Sequence, residues 1–415
     1  MSIYVIDEIM GRGKTSAMIN YINESPPDTR FLFITPLLSE TDRIARNCSG
    51  RNFYQPEAEG GKLNHIKEAF AEHKNIASTH ALFGMLDNEA IELIRKAHYT
   101  LVIDEVPCTI SITDITYYDA NNIVKNYADV GEKGRLIWTC DEYTGKYDIY
   151  KEAVQRGNIY RYSDMTWVSI MPLELFLSFD DVYIMTYMFE HQIQRCYFDL
   201  HDIPYKRKYV AGTSPSTYSL ADSPSPIPRL PYKDLIHICD NRKLNKIGES
   251  TSALSKNWHV TNVRDTSSPL GKRLRMNAYN YVRNVHAAKA ADVLWTTFKK
   301  DDRYGFDWQK LIASKGYASG FLSCNAKGTN DYRNRHTLLY LVNRYPNTCI
   351  RNFLSAHGIE FDQNMFALSE MLQWIWRSAI RDGEEIWIYI PSRRMRELLE
   401  KWLEEVSTDR SSEES

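Results

Sequence analysis

The sequence predicts two α/β domains, each a parallel sheet wrapped by helices, and three observations carry that expectation. At 415 residues the chain is longer than one core usually serves, so a division into two is the starting point. Short β-rich runs alternate with amphipathic stretches in both halves, as repeated strand and helix units do. Between the halves, residues 212–231 become rich in Ser and Pro, a composition that suits neither helix nor central strand.

Taken in order, the first domain covers residues 1–211, with strands expected at 3–6, 31–35, 75–78, 101–103, 135–139 and 182–186. Residues 212–231 read as a linker or exposed loop. The second domain covers 232–403, with strands expected at 235–238, 320–324 and 385–390 and a long helical region at 270–297. Residues 404–415 are acidic and Ser-rich, the composition of a solvated tail.

Composition narrows the function classes. Hydrophobic residues make up 43% and charged residues 25%, the balance of a packed globular protein. The apolar runs are far shorter than the roughly 20 residues of a membrane-spanning helix, and the first residues lack the basic start and cleavage site of a secretory signal. No membrane partner and a cytoplasmic address are therefore expected. The seven cysteines lie far apart, without the paired spacing of a zinc site, and read as reduced core thiols. A net charge of −2 gives no support to a uniformly basic nucleic-acid binder, although a motor can confine its basic residues to one groove.

The strongest motif stands at the start. The run Ile3, Tyr4, Val5, Ile6 leads into Gly11, Arg12, Gly13, Lys14, Thr15, Ser16 and then into a helical pattern. Strand, glycine loop and helix come in the order a phosphate site needs, because loop N–H groups and a helix N-terminus both favour an anion. Lys14 would reach the β and γ phosphates and Thr15 would ligate Mg²⁺. The competing reading is an ordinary glycine turn before a helix. The loop begins so close to residue 1 that no upstream segment is expected to read the base, so weak base selectivity follows.

Hydrolysis also needs carboxylates. After Leu101, Val102 and Ile103 stand Asp104 and Glu105, one to hold Mg²⁺ through water and the other to orient and deprotonate the attacking water. An acidic pair capping a helix at a sheet edge is the structural alternative.

With these motifs the chain resembles superfamily 2 helicases of the DEAD/DEAH type, in particular those encoded by bacteriophages. The resemblance implies two RecA-like P-loop domains, ATP and Mg²⁺ as cofactors, and nucleic acid as partner, DNA more than RNA, alongside replication or recombination proteins. The stretch 31–36 is similar to a motif beside the nucleic-acid backbone, making Thr35 and Arg43 candidate phosphate contacts. Ser78 and Thr79 resemble a further contact, for which a plain helix cap is the alternative. Residues 321–332 are similar to a motif that would place Thr329 and Asn330 at the strand and cleft. Gln373, Arg377 and Arg381 resemble the motif that brings arginines to the γ-phosphate; four residues separate the two arginines, so one helix face would carry both if the helix continues.

This chain departs from the family pattern in four places, one of them the strand at 182–186, which ends in Thr186 where the family has Ser-Ala-Thr. Glu8 replaces the first loop glycine, Trp376 replaces a glycine, and Arg381 comes one residue late. Two rivals stay open: a packaging-type ATPase, and a nucleotide-gated binding or scaffold protein without motor activity.

Overall fold

A computed structural model describes residues 1–57, 61–224, 231–299, 305–326, 328–329 and 331–408. The chain is α/β with parallel sheets and divides into two compact units. One comprises residues 1–226 and 346–362, the other 227–345 and 363–415.

The first unit is built on β1 (Ser2–Asp7), β2 (Arg30–Thr35), β3 (Ile76–Thr79) and β4 (Tyr99–Asp104). Leu101, Val102 and Ile103 have no exposed surface on either face, which puts β4 inside the sheet and contributes ~1.5–3 kcal/mol per side chain. After β4 the chain leaves the main sheet. β5 (Ile110–Ile112), β6 (Ala128–Val130), β7 (Leu136–Trp138), β8 (Ile159–Ser163) and β9 (Thr166–Ile170) form a small antiparallel sheet, β5-β9-β8, and a hairpin, β6-β7. The strand expected at 135–139 thus exists, but in this insertion and not in the parallel sheet. Its side chains have their own aromatic core to join: Trp138 stacks on Tyr127 at 5.9 Å, and Trp167 meets Tyr150 edge-on at 6.1 Å.

The chain returns through β10 (Asp181–Thr186), β11 (Lys206–Ala211) and β12 (Ser219–Ala221). The completed sheet has the order β12-β11-β1-β10-β4-β2-β3, parallel except for β12 against β11. Here the linker expectation needs correction. Residues 219–221 are an edge strand, where prolines on either side do no harm because one flank needs no partner. The loop before it is tied down as Asn20 Nδ2 donates to the carbonyls of Pro215 (3.0 Å) and Tyr218 (2.8 Å). Residues 225–230 lie outside the described residues.

The second unit has β13 (Ile236–Ile238), β14 (Val293–Thr296), β15 (Thr337–Tyr340) and β16 (Ile386–Tyr389), all parallel in the order β13-β16-β15-β14. The helical region expected at 270–297 ends early. A helix fills Pro269–Asn280, a wider turn follows at Tyr281–Val285, and Val, Leu, Trp and Thr at 293–296 form a fully buried strand. The strand expected at 320–324 shrinks to one bridge between Phe321 and Trp295. Gly320 explains the closeness there, since a Cβ would lie 1.9 Å from the Val293 carbonyl oxygen.

The expected second domain also loses a piece. Residues 346–362 pack with the first unit, where Ile350, Phe353 and Leu354 of the helix Thr348–Ala356 enter the core. Arg195 Nη2 donates to the Glu360 carbonyl at 2.7 Å and Asn352 Nδ2 to Tyr162 Oη at 2.8 Å. The acidic end is helical to Thr408, and residues 409–415 lie outside the described residues.

Candidate nucleotide site

Because β1, β10, β4, β2 and β3 are parallel, their carboxyl ends share one edge, where open α/β sheets bind ligands. There β1 passes into a loop and then into the helix Lys14–Glu24. Gly11 and Gly13 take φ of 86° and 81°, a left-handed backbone that glycine adopts without steric cost. Gly13 caps the helix, its carbonyl accepting from Ala17 N at 2.8 Å. Thr15 and Ser16 are half-buried in the first turn. Arg12 reaches back to Glu8 at 3.9 Å.

Lys14 Nζ donates to the carbonyls of Glu8 and Ile9, the latter at 3.1 Å. The ammonium is folded over the loop it would serve. Burial pushes its pKa down to about 8, against the pull of Asp104, Asp7, Glu8 and Glu105. Asp104, at the end of β4, moves the other way: burial, Glu105 and Glu40 raise it to about 7, while Lys14 and Arg43 oppose the shift. A lowered ammonium and a raised carboxyl are what low dielectric imposes on groups lacking enough counter-charge.

Glu105 has φ of 59°, a conformation that costs a non-glycine residue ~1–3 kcal/mol and gathers at functional sites. Its N–H is held by the Met185 carbonyl at 3.0 Å. The acidic pair is therefore not a helix cap, because the chain continues into the insertion.

The donors near the loop are oxygens, the Thr15 hydroxyl and the Asp104 carboxylate, which are of the kind Mg²⁺ takes.

The remaining candidates divide. Thr35, at the end of β2, is 0% exposed and donates to the Leu37 carbonyl at 2.8 Å, so its hydroxyl faces its own loop. Arg43 pairs with Glu40 at 3.0 Å. Ser78 is buried, and Thr79 caps the short helix His80–Phe83 through Leu82 N, which is the alternative raised from sequence. Thr329 bonds Asp331 at 2.8 Å, while Asn330 lies outside the described residues.

Gln373 is half-buried on the helix Gln363–Ile375. That helix stops before Arg377, so Arg377 and Arg381 do not share a helix face as expected. The cause is local: Arg377 N and Ser378 N bond three residues back, to Trp374 and Ile375, and Ser378 Oγ takes the Ile375 carbonyl at 2.6 Å. Arg377 is only 6% exposed, and Trp374 and Trp376 are core residues. Arg381 sits half-buried on the following turn, Ala379–Asp382.

Sequence reasoning passed over three residues at this edge. His80 Nε2 bonds the Asp104 carbonyl at 3.0 Å, and Gln192 Nε2 donates to Thr186 Oγ1 at 2.9 Å. Tyr218 lies over the loop so closely that a Cβ on Gly13 would meet its ring at 2.5 Å. None had a local signal, since each reaches the site through tertiary contact.

Among known proteins, residues 231–403 match the family model for the YonV C-terminal Rossmann-like domain. An uncharacterized protein derived from the SPbeta prophage of Bacillus subtilis (strain 168), YonV, is 37% identical over 97% of this chain and 98% of its own length. Among solved structures, S. tokodaii Xpd4 aligns with a TM-score of 0.48 at 12% identity, over 97% of this chain and 94% of that one. An XPD helicase aligns with a TM-score of 0.46 at 11% identity, over 96% of this chain and 94% of that one. At that level these structural likenesses carry no functional weight. Identity across nearly the full length of both sequences shows the family: the chain belongs to the YonV family.

Proposed function

We propose that the chain is an ATP-dependent nucleic-acid motor, of helicase or translocase type, that hydrolyses ATP at the carboxyl edge of the first unit's sheet. The observation that carries the reading is the meeting of Lys14, Asp104 and Glu105 at one edge, with Lys14 depressed to about 8 and Asp104 raised to about 7. A phosphate beside Lys14 and a cation beside Asp104 would each supply the missing counter-charge.

In this reading the loop amides of residues 11–16 and Lys14 bind the phosphates, and Thr15 and Asp104 would hold Mg²⁺, which neutralises phosphate charge when bound. Glu105 orients the water and accepts its proton. Gln373, Arg377 and Arg381 are assigned to the transferred phosphoryl group by the helicase resemblance alone. The prophage origin of the relative supports a phage setting, in which we assign the motor to DNA replication or recombination in the bacterial cytoplasm.

Calorimetric titration with MgATP tests the nucleotide half of the proposal. Lys14→Ala should weaken binding by about one to two orders of magnitude, the worth of a charged hydrogen bond or two, with an unchanged far-UV spectrum. Equal affinity in the two proteins would remove the site.

A further inference from the structure

Charge is divided unevenly in this chain. The unit of residues 1–226 and 346–362 holds twenty-three Lys and Arg against thirty-three Asp and Glu, whereas the other holds twenty-eight against twenty. The total of −2 conceals a basic second unit. Within it, residues 266–291 contain five Lys and Arg and no Asp or Glu.

The helix Pro269–Asn280 and the turn Tyr281–Val285 fill most of that stretch. One side is core: Leu274, Ala278, Tyr281 and Val282 pack inward. Positions 272, 276, 279 and 283 recur at helical spacing on the other side. There Lys272, Arg273 and Arg283 are exposed, as are Met276 (69%) and Tyr279 (45%). Arg275 differs, since its guanidinium is tied to the carbonyls of Leu311 and Thr266 and anchors the helix.

A second segment adds to the patch. Gly316 packs so that a Cβ would lie 3.4 Å from Arg283 Cδ and 3.5 Å from Tyr279 Cδ2, which brings the exposed Lys315 alongside. Arg283 is steadied by donating to the Ala288 carbonyl at 3.3 Å. Among the described residues, Lys272, Arg273, Arg283 and Lys315 form no ion pair, whereas nearby Lys310 pairs with Asp307 and Arg333 with Asp382.

An ordinary solvated face carries both signs interspersed. A predominantly basic face, with Asp265 beside Lys272 as its acidic neighbour, that also exposes a ring has the two elements that bind single strands: cations for the phosphates and a π-surface for a base. We infer that this face binds single-stranded nucleic acid, with Lys272, Arg273, Arg283 and Lys315 along the backbone and Tyr279 against a base. The inference rests on the motor reading for its partner. It moves the contacts away from Thr35 and Ser78, whose side chains are buried.

The test is fluorescence anisotropy of a labelled oligothymidylate with the full chain across a salt series. The triple variant Lys272→Glu, Arg273→Glu, Arg283→Glu should weaken binding at least tenfold. It should also lower the slope of log affinity against log salt by about two, since each lost single-strand phosphate contact removes about 0.7. Tyr279→Ala should weaken binding with the slope unchanged, and Tyr279→Phe should restore it. The control Lys96→Glu, Lys125→Glu on the acidic unit should bind as wild type, and ATPase without nucleic acid should be unaltered in every variant. Wild-type affinity and slope in the triple variant would overturn the surface assignment alone. Failure of the wild type to bind any oligonucleotide, or capture by anionic vesicles in preference to it, would overturn the motor reading with it.

Discussion

Lys14 and Asp104 show how a site can be tuned by burial. With Lys14 at about 8 and Asp104 at about 7, both groups are predominantly ionised only in the narrow interval between those values. Below about 7 the carboxyl gains its proton and loses its attraction for a cation; above about 8 the ammonium loses the charge that phosphates need. MgATP affinity should therefore peak between about pH 7 and 8 and fall on both sides. Asp104→Asn should flatten the acid limb and Lys14→Arg the alkaline limb. A pH-independent affinity in the wild type would contradict the assignment. Stability without nucleotide follows the same shifts. Folding leaves Lys14 with fewer protons than the unfolded chain between about 8 and 10.5, so its contribution to stability rises with pH there. Asp104 holds more protons when folded between 3.8 and about 7, so its contribution falls as pH rises through that range.

At the scale of elements, the strand, glycine loop and helix that open the chain were legible because they are consecutive. The strand that ends at Asp104 was legible for the same reason. Tyr218 was not, because only the β11 and β12 hairpin carries it back over Gly13, and the Ser/Pro-rich composition around it pointed to a linker. The helix end at Ile375 was left open by the sequence, because Ser378 competes for a carbonyl that an uninterrupted periodicity would have left to the backbone. The hairpin's role can be measured. Gly13→Ala meets both a φ of 81° and the Tyr218 ring at 2.5 Å, so urea unfolding should show a loss of about 1 kcal/mol from the backbone plus the steric conflict. Adding Tyr218→Ala should recover the steric part and leave the backbone part. If adding Tyr218→Ala recovers nothing, the ring does not lie on the loop.

For the whole molecule, alternation of strands and helices was enough to foretell two α/β units, and the parallel sheets agree. Boundaries were less legible. Residues 346–362 belong to the first unit through Ile350, Phe353 and Leu354, and a contact so distant in sequence leaves no trace in periodicity. The insertion after β4 was hidden because an antiparallel strand such as Leu136–Trp138 reads locally like a parallel one. Coupling of hydrolysis to nucleic acid is the property on which the functional reading stands, and it belongs to no single residue. The most direct measurement is steady-state ATPase with and without single-stranded DNA, in the wild type, Glu105→Gln and Arg377→Ala. The wild-type rate should rise with DNA. Glu105→Gln should bind MgATP normally yet lose about 10² to 10⁴ in rate, and Arg377→Ala should lose about 10³ or more of the stimulated rate with nucleotide affinity little changed. A wild-type rate indifferent to DNA, or full stimulated activity in both variants, would contradict the motor reading.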